Sequence, residues 1–128
     1  MTERIIDWKY IPPADGWEDY EADVIAWVDV AAFDRAWGRT DQHIVPGGSN
    51  GQDSRYRKAG EWFAENSHSN MFVASLDEDG VLFTDGRHRF SWLRDRGVAA
   101  IPIQISPYEA AEFEQLFGTT LRVSLLPG

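Results

Sequence analysis

The chain has 128 residues, enough for one domain with a hydrophobic core, and its lack of cysteine excludes disulfides, thiol catalysis and cysteine-based metal centres. Its net charge of −9 predicts that binding to DNA is absent or weak and falls steeply as salt rises. Since no apolar run approaches the roughly 20 residues of a membrane helix and the first residues lack the apolar core of a signal peptide, we expect a cytoplasmic protein without a membrane partner.

The first part of the chain is predicted to contain an extended segment, a strand and a helix. Residues 1–20 carry aliphatic and aromatic side chains around two prolines, which favours an extended segment packed on the domain; a partner-docking arm is the alternative. Residues 24–30 read as a β-branched central strand and residues 31–37 as a short helix. Residues 39–54, rich in Gly, Ser and Asn, form the longest loop, either a plain connection or a cover for a bound phosphate.

The second part alternates predicted helices and strands. We expect helices over residues 53–66, 87–96 and 107–117, and strands over residues 71–76, 81–84, 100–105 and 121–126. The last helix should turn Tyr108, Ala111 and Leu116 inward. The fold class is therefore α/β to α+β, with short helices around a small mixed sheet. We expect a single domain over residues 1–128, divided into an extension (1–20), a core (24–105) and a C-terminal helix and strand (106–128).

The most informative stretch is Asp85-Gly86-Arg87-His88-Arg89, which follows a predicted strand and opens a helix. The first turn of a helix presents unpaired N–H groups and the positive end of the helix dipole, so cationic side chains are unfavourable there unless an anion lies among them. An anion site, with phosphate as its ligand, is one reading. The other is an ordinary helix start, with Asp85 as N-cap and exposed arginines that cost about 0.3–1 kcal/mol each.

The preceding helix offers a second basic cluster in Arg55, Arg57 and Lys58. This cluster forms either a solvated face or a second wall of the anion pocket. By contrast, residues 14–34 carry seven acidic residues and no lysine or arginine. That acidic face would suit a basic protein partner.

The strand, the DGRHR helix start and the later stretch Gly97 to Ile103 together resemble the ParB/sulfiredoxin superfamily. The resemblance extends over about residues 24–105, and residues 83–103 carry its specific part. It implies a ParB/sulfiredoxin-like fold in which Gly86, Arg87, His88 and Arg89 bind the phosphates of a nucleotide. Sulfiredoxin activity itself requires a cysteine that this chain lacks.

Three hypotheses follow from the resemblance. In the first, the protein is an ATP- or CTP-dependent phosphohydrolase or phosphotransferase, such as an NTPase or a small-molecule kinase. His88 would then carry a proton, and a carboxylate of Asp85, Asp29 or Asp34 would hold Mg²⁺ or activate the acceptor. In the second, the fold serves as a non-catalytic protein-interaction module. In the third, the protein is a DNA-associated protein or nuclease.

Overall fold

A computed structural model describes residues 3–12, 21–50 and 53–127. Their strands are β1 (Arg4–Ile5), β2 (Asp7–Lys9), β3 (Val24–Asp29), β4 (His68–Asn70), β5 (Phe72–Asp77), β6 (Gly80–Asp85), β7 (Ala100–Ile105) and β8 (Leu125–Leu126). The helices are α1 (Val30–Trp37), α2 (Asp53–Glu65), α3 (Arg87–Asp95) and α4 (Ala110–Phe117). None of the helices in these described ranges is long and apolar enough to cross a membrane.

The centre of the fold is a four-stranded mixed sheet in the order β3-β7-β5-β6. Strand β7 runs antiparallel to β3 and parallel to β5, while β5 and β6 form an antiparallel hairpin. Every residue of β7 is buried, as its apolar sequence requires of a central strand. The predicted α/β class with a small mixed sheet and short helices is confirmed.

An aromatic cluster joins the helices to this sheet. Phe33 of α1 lies at its centre, with ring centroids 5.2–5.6 Å from those of Phe83, Phe90 and Phe117. All four rings are at most 6% exposed. Because β6, α3 and α4 each contribute a ring, the cluster fixes the point where β6 passes into α3.

The free edge of β6 is covered by a side chain instead of a strand. The Gln42 side chain accepts a hydrogen bond from the Phe83 amide at 2.7 Å and donates one to the Phe83 carbonyl at 2.8 Å. The indole of Trp37 donates to the same Gln42 oxygen at 3.0 Å. Gln42 therefore ties the loop after α1 to both α1 and β6.

Two small strand pairs close the fold. Strand β1 pairs antiparallel with β8, and β2 pairs parallel with β4. The side chain of Gln104 on β7 binds both backbone polar groups of Ile11, at 2.7 and 3.0 Å. Residues 3–12 are thus extended and packed on the domain, as predicted, whereas residues 13–20 lie outside the described part.

Two sequence predictions for the fold are wrong, and one strand was missed. Helix α4 begins at Ala110 and buries Phe113 and Phe117, while the three residues predicted to face inward, Tyr108, Ala111 and Leu116, are all exposed. The later start changes which residues face the sheet. The final strand is limited to Leu125–Leu126, and β4 was not predicted at all, because its short polar sequence becomes a strand only by pairing with β2.

Candidate functional site

The junction between β6 and α3 depends on Gly86. This residue is the N-cap of α3 and has a φ of +103°, a conformation that favours glycine. A Cβ atom added there would lie 2.4 Å from Cδ1 of Phe72. Asp85 is the last residue of β6, so the reading of Asp85 as the N-cap is wrong.

A pocket of about 370 Å³ lies beside this junction, between α2 and the start of α3. Helix α2 lines it with Arg55, Lys58, Ala59 and Trp62, which recur at the three- and four-residue spacing of one helix face. The opposite wall is built by residues 83–89, and Gln42 also lines the pocket. The structure thus brings the predicted DGRHR motif together with Arg55 and Lys58 of the second basic cluster.

The charge of this pocket is mainly positive. Arg55, Lys58 and Arg87 all line it. The Arg87 guanidinium donates a hydrogen bond of 3.2 Å to the carbonyl of Gln42, which holds its side chain in place. We call this feature the cationic pocket. Arg57, the third member of the predicted basic cluster, lies outside the lining and forms an exposed pair with Glu61 at 3.4 Å.

His88 also lines the cationic pocket and is only 8% exposed. Burial lowers its pKa, and the positive charges of Arg87 and Arg55 lower it further. The neutral imidazole is therefore favoured at pH 7.

Arg89 lines the pocket but its guanidinium is already engaged. It donates to the Ser69 hydroxyl at 2.9 Å and to the Asp85 carboxylate at 3.0 Å. It also lies over the Phe72 ring, 4.9 Å from the centroid. Arg89 therefore joins β4, β6 and α3.

The predicted catalytic carboxylates are dispersed. Asp85 lines the pocket and pairs with Arg89, but Asp29 caps α1 by accepting from the Ala32 amide at 3.0 Å. Asp34 pairs with Arg94, and neither Asp29 nor Asp34 lines the pocket. Within the described ranges, no three His, Asp or Glu side chains are grouped to hold a metal ion. ATP or CTP with Mg²⁺ stays a prediction that no observation tests.

A buried ionic network behind the pocket was not predicted. Arg94, whose side chain is 9% exposed, donates to Asp34 at 3.0 Å and to Asp95 at 2.9 Å. Burial opposes ionisation of Asp95, but hydrogen bonds from Arg94, Tyr56 and the Gly47 amide outweigh it and hold the pKa of Asp95 below its usual value. Since Gly47 lies in the long loop and Tyr56 in α2, their hydrogen bonds to Asp95 join the described part of that loop and α2 to α3.

The acidic face proposed for a basic partner is only partly visible, because residues 13–20 lie outside the described ranges. That partner stays a prediction. Sequence reasoning also missed Trp62 and Gln42 as pocket residues. The spacing of Trp62 from Arg55 and Lys58 was the available signal, whereas nothing in the sequence indicated Gln42.

Comparison with known proteins identifies the family. The family model described as plasmid fertility inhibition factor matches residues 25–118. The chain belongs to the plasmid fertility inhibition factor family. A solved member, the oncogenic suppression activity protein, superposes with a TM-score of 0.60 at 19% identity, covering 88% of this chain and 70% of the other. That similarity shows a shared fold. No curated protein gave a significant sequence match.

The family assignment corrects the functional reading of the sequence. The resemblance to the ParB/sulfiredoxin superfamily is wrong, because the matching family is that of the fertility inhibition factors. The prediction of a ParB-like nucleotide-binding NTPase or kinase is contradicted on the same ground. The short DGRHR helix start carried that resemblance, and a cationic helix start is not specific to one family. The interaction-module alternative is closer to the family, although no observation tests it.

Proposed function

We propose that this protein lowers the fertility of a plasmid, meaning the frequency of its transfer between cells, and that it does so by binding a partner through the cationic pocket. The observation that carries the proposal is the position of the family match. Residues 25–118 match the fertility inhibition family, and every residue that lines the pocket lies between positions 42 and 89. The proposal places the protein in the cytoplasm.

The chemistry of the pocket supports an anionic partner group. Three cations face a space of about 370 Å³, and Asp85, the acidic residue in its lining, is paired with Arg89. The Gln42 carbonyl fixes Arg87, so less side-chain entropy is lost when Arg87 binds an anion. Among the predicted binding residues, Arg87 is the direct contact, while Gly86 and Arg89 shape the wall that presents it. His88 lines the same wall in its neutral form.

A mating assay tests the proposal. Donor cells that carry one of a panel of conjugative plasmids express the protein or an empty vector, and transconjugants per donor are counted. We expect transfer of at least one plasmid to fall when the protein is present. The doubly substituted Arg55→Ala/Arg87→Ala protein should lose most of this inhibition.

Arg57→Ala is the matched control, because Arg57 lies on the same helix but outside the pocket lining. It should inhibit like the wild type. Immunoblots of fractionated donors verify equal accumulation and test the cytoplasmic location. Unchanged transfer of every plasmid, despite accumulation of the protein, would refute the function. Full inhibition by the double variant would refute the pocket as its site.

A further inference from the structure

A second pocket adjoins the cationic pocket. It has a volume of about 330 Å³ and is lined by Lys9, Trp62, His68, Ser69, Asn70 and Arg89. Trp62 and Arg89 line both pockets, so the two spaces meet at these side chains. We call the combined space the cationic groove. It runs from the start of α3, across Trp62, to the paired strands β2 and β4.

The groove concentrates positive charge on an acidic protein. Five of the chain's 12 lysines and arginines line it, namely Lys9, Arg55, Lys58, Arg87 and Arg89. Asp85, the acidic residue in its lining, pairs with Arg89 at 3.0 Å. The net charge of the whole chain is −9. Cations lie at both ends of the groove, since Lys9 is in the second pocket and Arg55, Lys58 and Arg87 are in the first.

Trp62 occupies the middle of the groove and is 42% exposed. Its indole N–H donates to the His68 carbonyl at 2.7 Å, and its ring contacts the His68 ring edge-on at a centroid distance of 5.1 Å. These contacts fix the orientation of an exposed aromatic surface. Fixed, partly exposed tryptophans are frequent anchors at protein interfaces, because they bind without a large loss of side-chain entropy.

We infer that the cationic groove binds an extended acidic segment of a protein, with carboxylates at both ends and an apolar or aromatic side chain on Trp62. This inference rests on the proposed function and specifies the partner of the same site. Single-stranded DNA fits less well. Binding of that kind uses stacking of successive bases on several aromatic faces, whereas the two exposed rings that line the groove, Trp62 and His68, pack edge-on against each other. The charge of −9 also repels a long polyanion more than a short segment.

Fluorescence anisotropy with defined probes tests the ligand class. The first probe is a labelled peptide of alternating Glu and Asp around a central Phe. The second replaces each acid by its amide, the third replaces Phe by Ser, and the fourth is an oligothymidylate of the same formal charge as the first. We expect the first probe to bind most tightly and its affinity to fall as salt rises. Tighter binding of the oligothymidylate, or equal binding of the amide peptide, would overturn the inference.

Single substitutions locate the bound peptide. Lys9→Ala and Lys58→Ala, at opposite ends of the groove, should each weaken the acidic peptide up to about fivefold, the effect of one exposed ion pair. Arg57→Ala, outside the groove, should leave binding unchanged. If Lys58→Ala weakens the peptide and Lys9→Ala does not, the ligand does not extend into the second pocket and the inference is wrong.

NMR tests the Trp62 contact on the wild-type protein, so the binding experiment itself needs no Trp62 variant. The chain has six tryptophans, and a Trp62→Phe protein identifies the Trp62 indole N–H among their NMR signals. That signal should move on titration of the wild type with the acidic peptide. A static Trp62 signal during saturable binding would overturn the inference.

The two proposals fail in different ways. If the protein inhibits transfer through Arg55 and Arg87 but the acidic peptide does not bind, the inference falls and the proposed function stands. If the peptide binds with the expected dependence on Lys9 and Lys58 but no plasmid's transfer falls, the inference about the groove stands and the proposed function falls.

Discussion

Replacement of Arg89 by alanine should lower folding stability substantially, because this guanidinium joins three elements. It contacts the Ser69 hydroxyl of β4 at 2.9 Å and the Asp85 carboxylate of β6 at 3.0 Å. Its Cζ atom also lies 4.9 Å from the centre of the Phe72 ring. All three contacts disappear in Arg89→Ala, and the buried Ser69 hydroxyl loses a charged donor.

The magnitude follows from the exposure of each partner. The bond to buried Ser69 contributes about 1.5 kcal/mol, since the donor is charged. The Asp85 side chain is 63% exposed, and its ion pair adds only about 0.5 kcal/mol after solvent screening. The contact with Phe72 adds about 0.5–1 kcal/mol. The total of about 2.5–3 kcal/mol corresponds to a fall in Tm of about 10 °C for a chain of this size.

Urea denaturation and thermal melts of Arg89→Ala provide the measurement, with Arg57→Ala as the control. Arg57 and Glu61 are 71% and 66% exposed, so loss of that pair should change the free energy of unfolding by no more than about 0.5 kcal/mol. If Arg89→Ala is as stable as Arg57→Ala, the contacts of Arg89 do not stabilise the fold and the reasoning is refuted.

Three further predictions concern the network and the helix start. Arg94→Ala should cost about 3–5 kcal/mol in urea denaturation, because it leaves the carboxylates of Asp34 and Asp95 without their cation; a loss below about 1 kcal/mol would contradict the network. The folded-state pKa of Asp95 is depressed, so its contribution to stability is present above the unfolded pKa of about 3.9 and is lost as pH falls through the lower folded value. Urea midpoints measured downward from neutral pH should therefore fall less steeply for Asp95→Asn than for the wild type, and parallel curves would exclude this role. Gly86→Ala should lose about 2 kcal/mol or more in a thermal melt, since it combines a left-handed backbone with a Cβ contact of 2.4 Å to Phe72, and a wild-type Tm would show that the junction relaxes freely.

Local sequence patterns predicted most of the core elements but not the long-range pairings. The apolar stretch of β7 occupies the residues predicted for it, and α2 ends one residue before its predicted end. For α4, the predicted start at Pro107 instead of Ala110 put Tyr108 inside, although it is 82% exposed. Periodicity alone does not determine which face a short helix buries.

The same limit applies to the site. Arg87, His88 and Arg89 are adjacent in sequence, so their common location was predictable. For the basic cluster of α2, a second wall of the pocket was one of two predicted roles, the other being a solvated face. Lys9 comes to the groove only through the parallel pairing of β2 with β4, which joins residues about 60 positions apart. The binding partner of Arg89 could not be predicted either, since a guanidinium at a helix start can bind a ligand or a neighbouring carboxylate.

The Gln42 side chain has a consequence for how a partner can approach this protein. An outer strand normally offers its amides and carbonyls to any extended chain, which is a route both to strand addition and to aggregation. Gln42 occupies both backbone groups of Phe83 at that position. Glutamate would supply only acceptors, so Gln42→Glu would leave the Phe83 carbonyl without a donor. With these groups occupied, a partner of the proposed groove would be recognised by side-chain charge and shape, which can discriminate among partners that backbone pairing would accept alike.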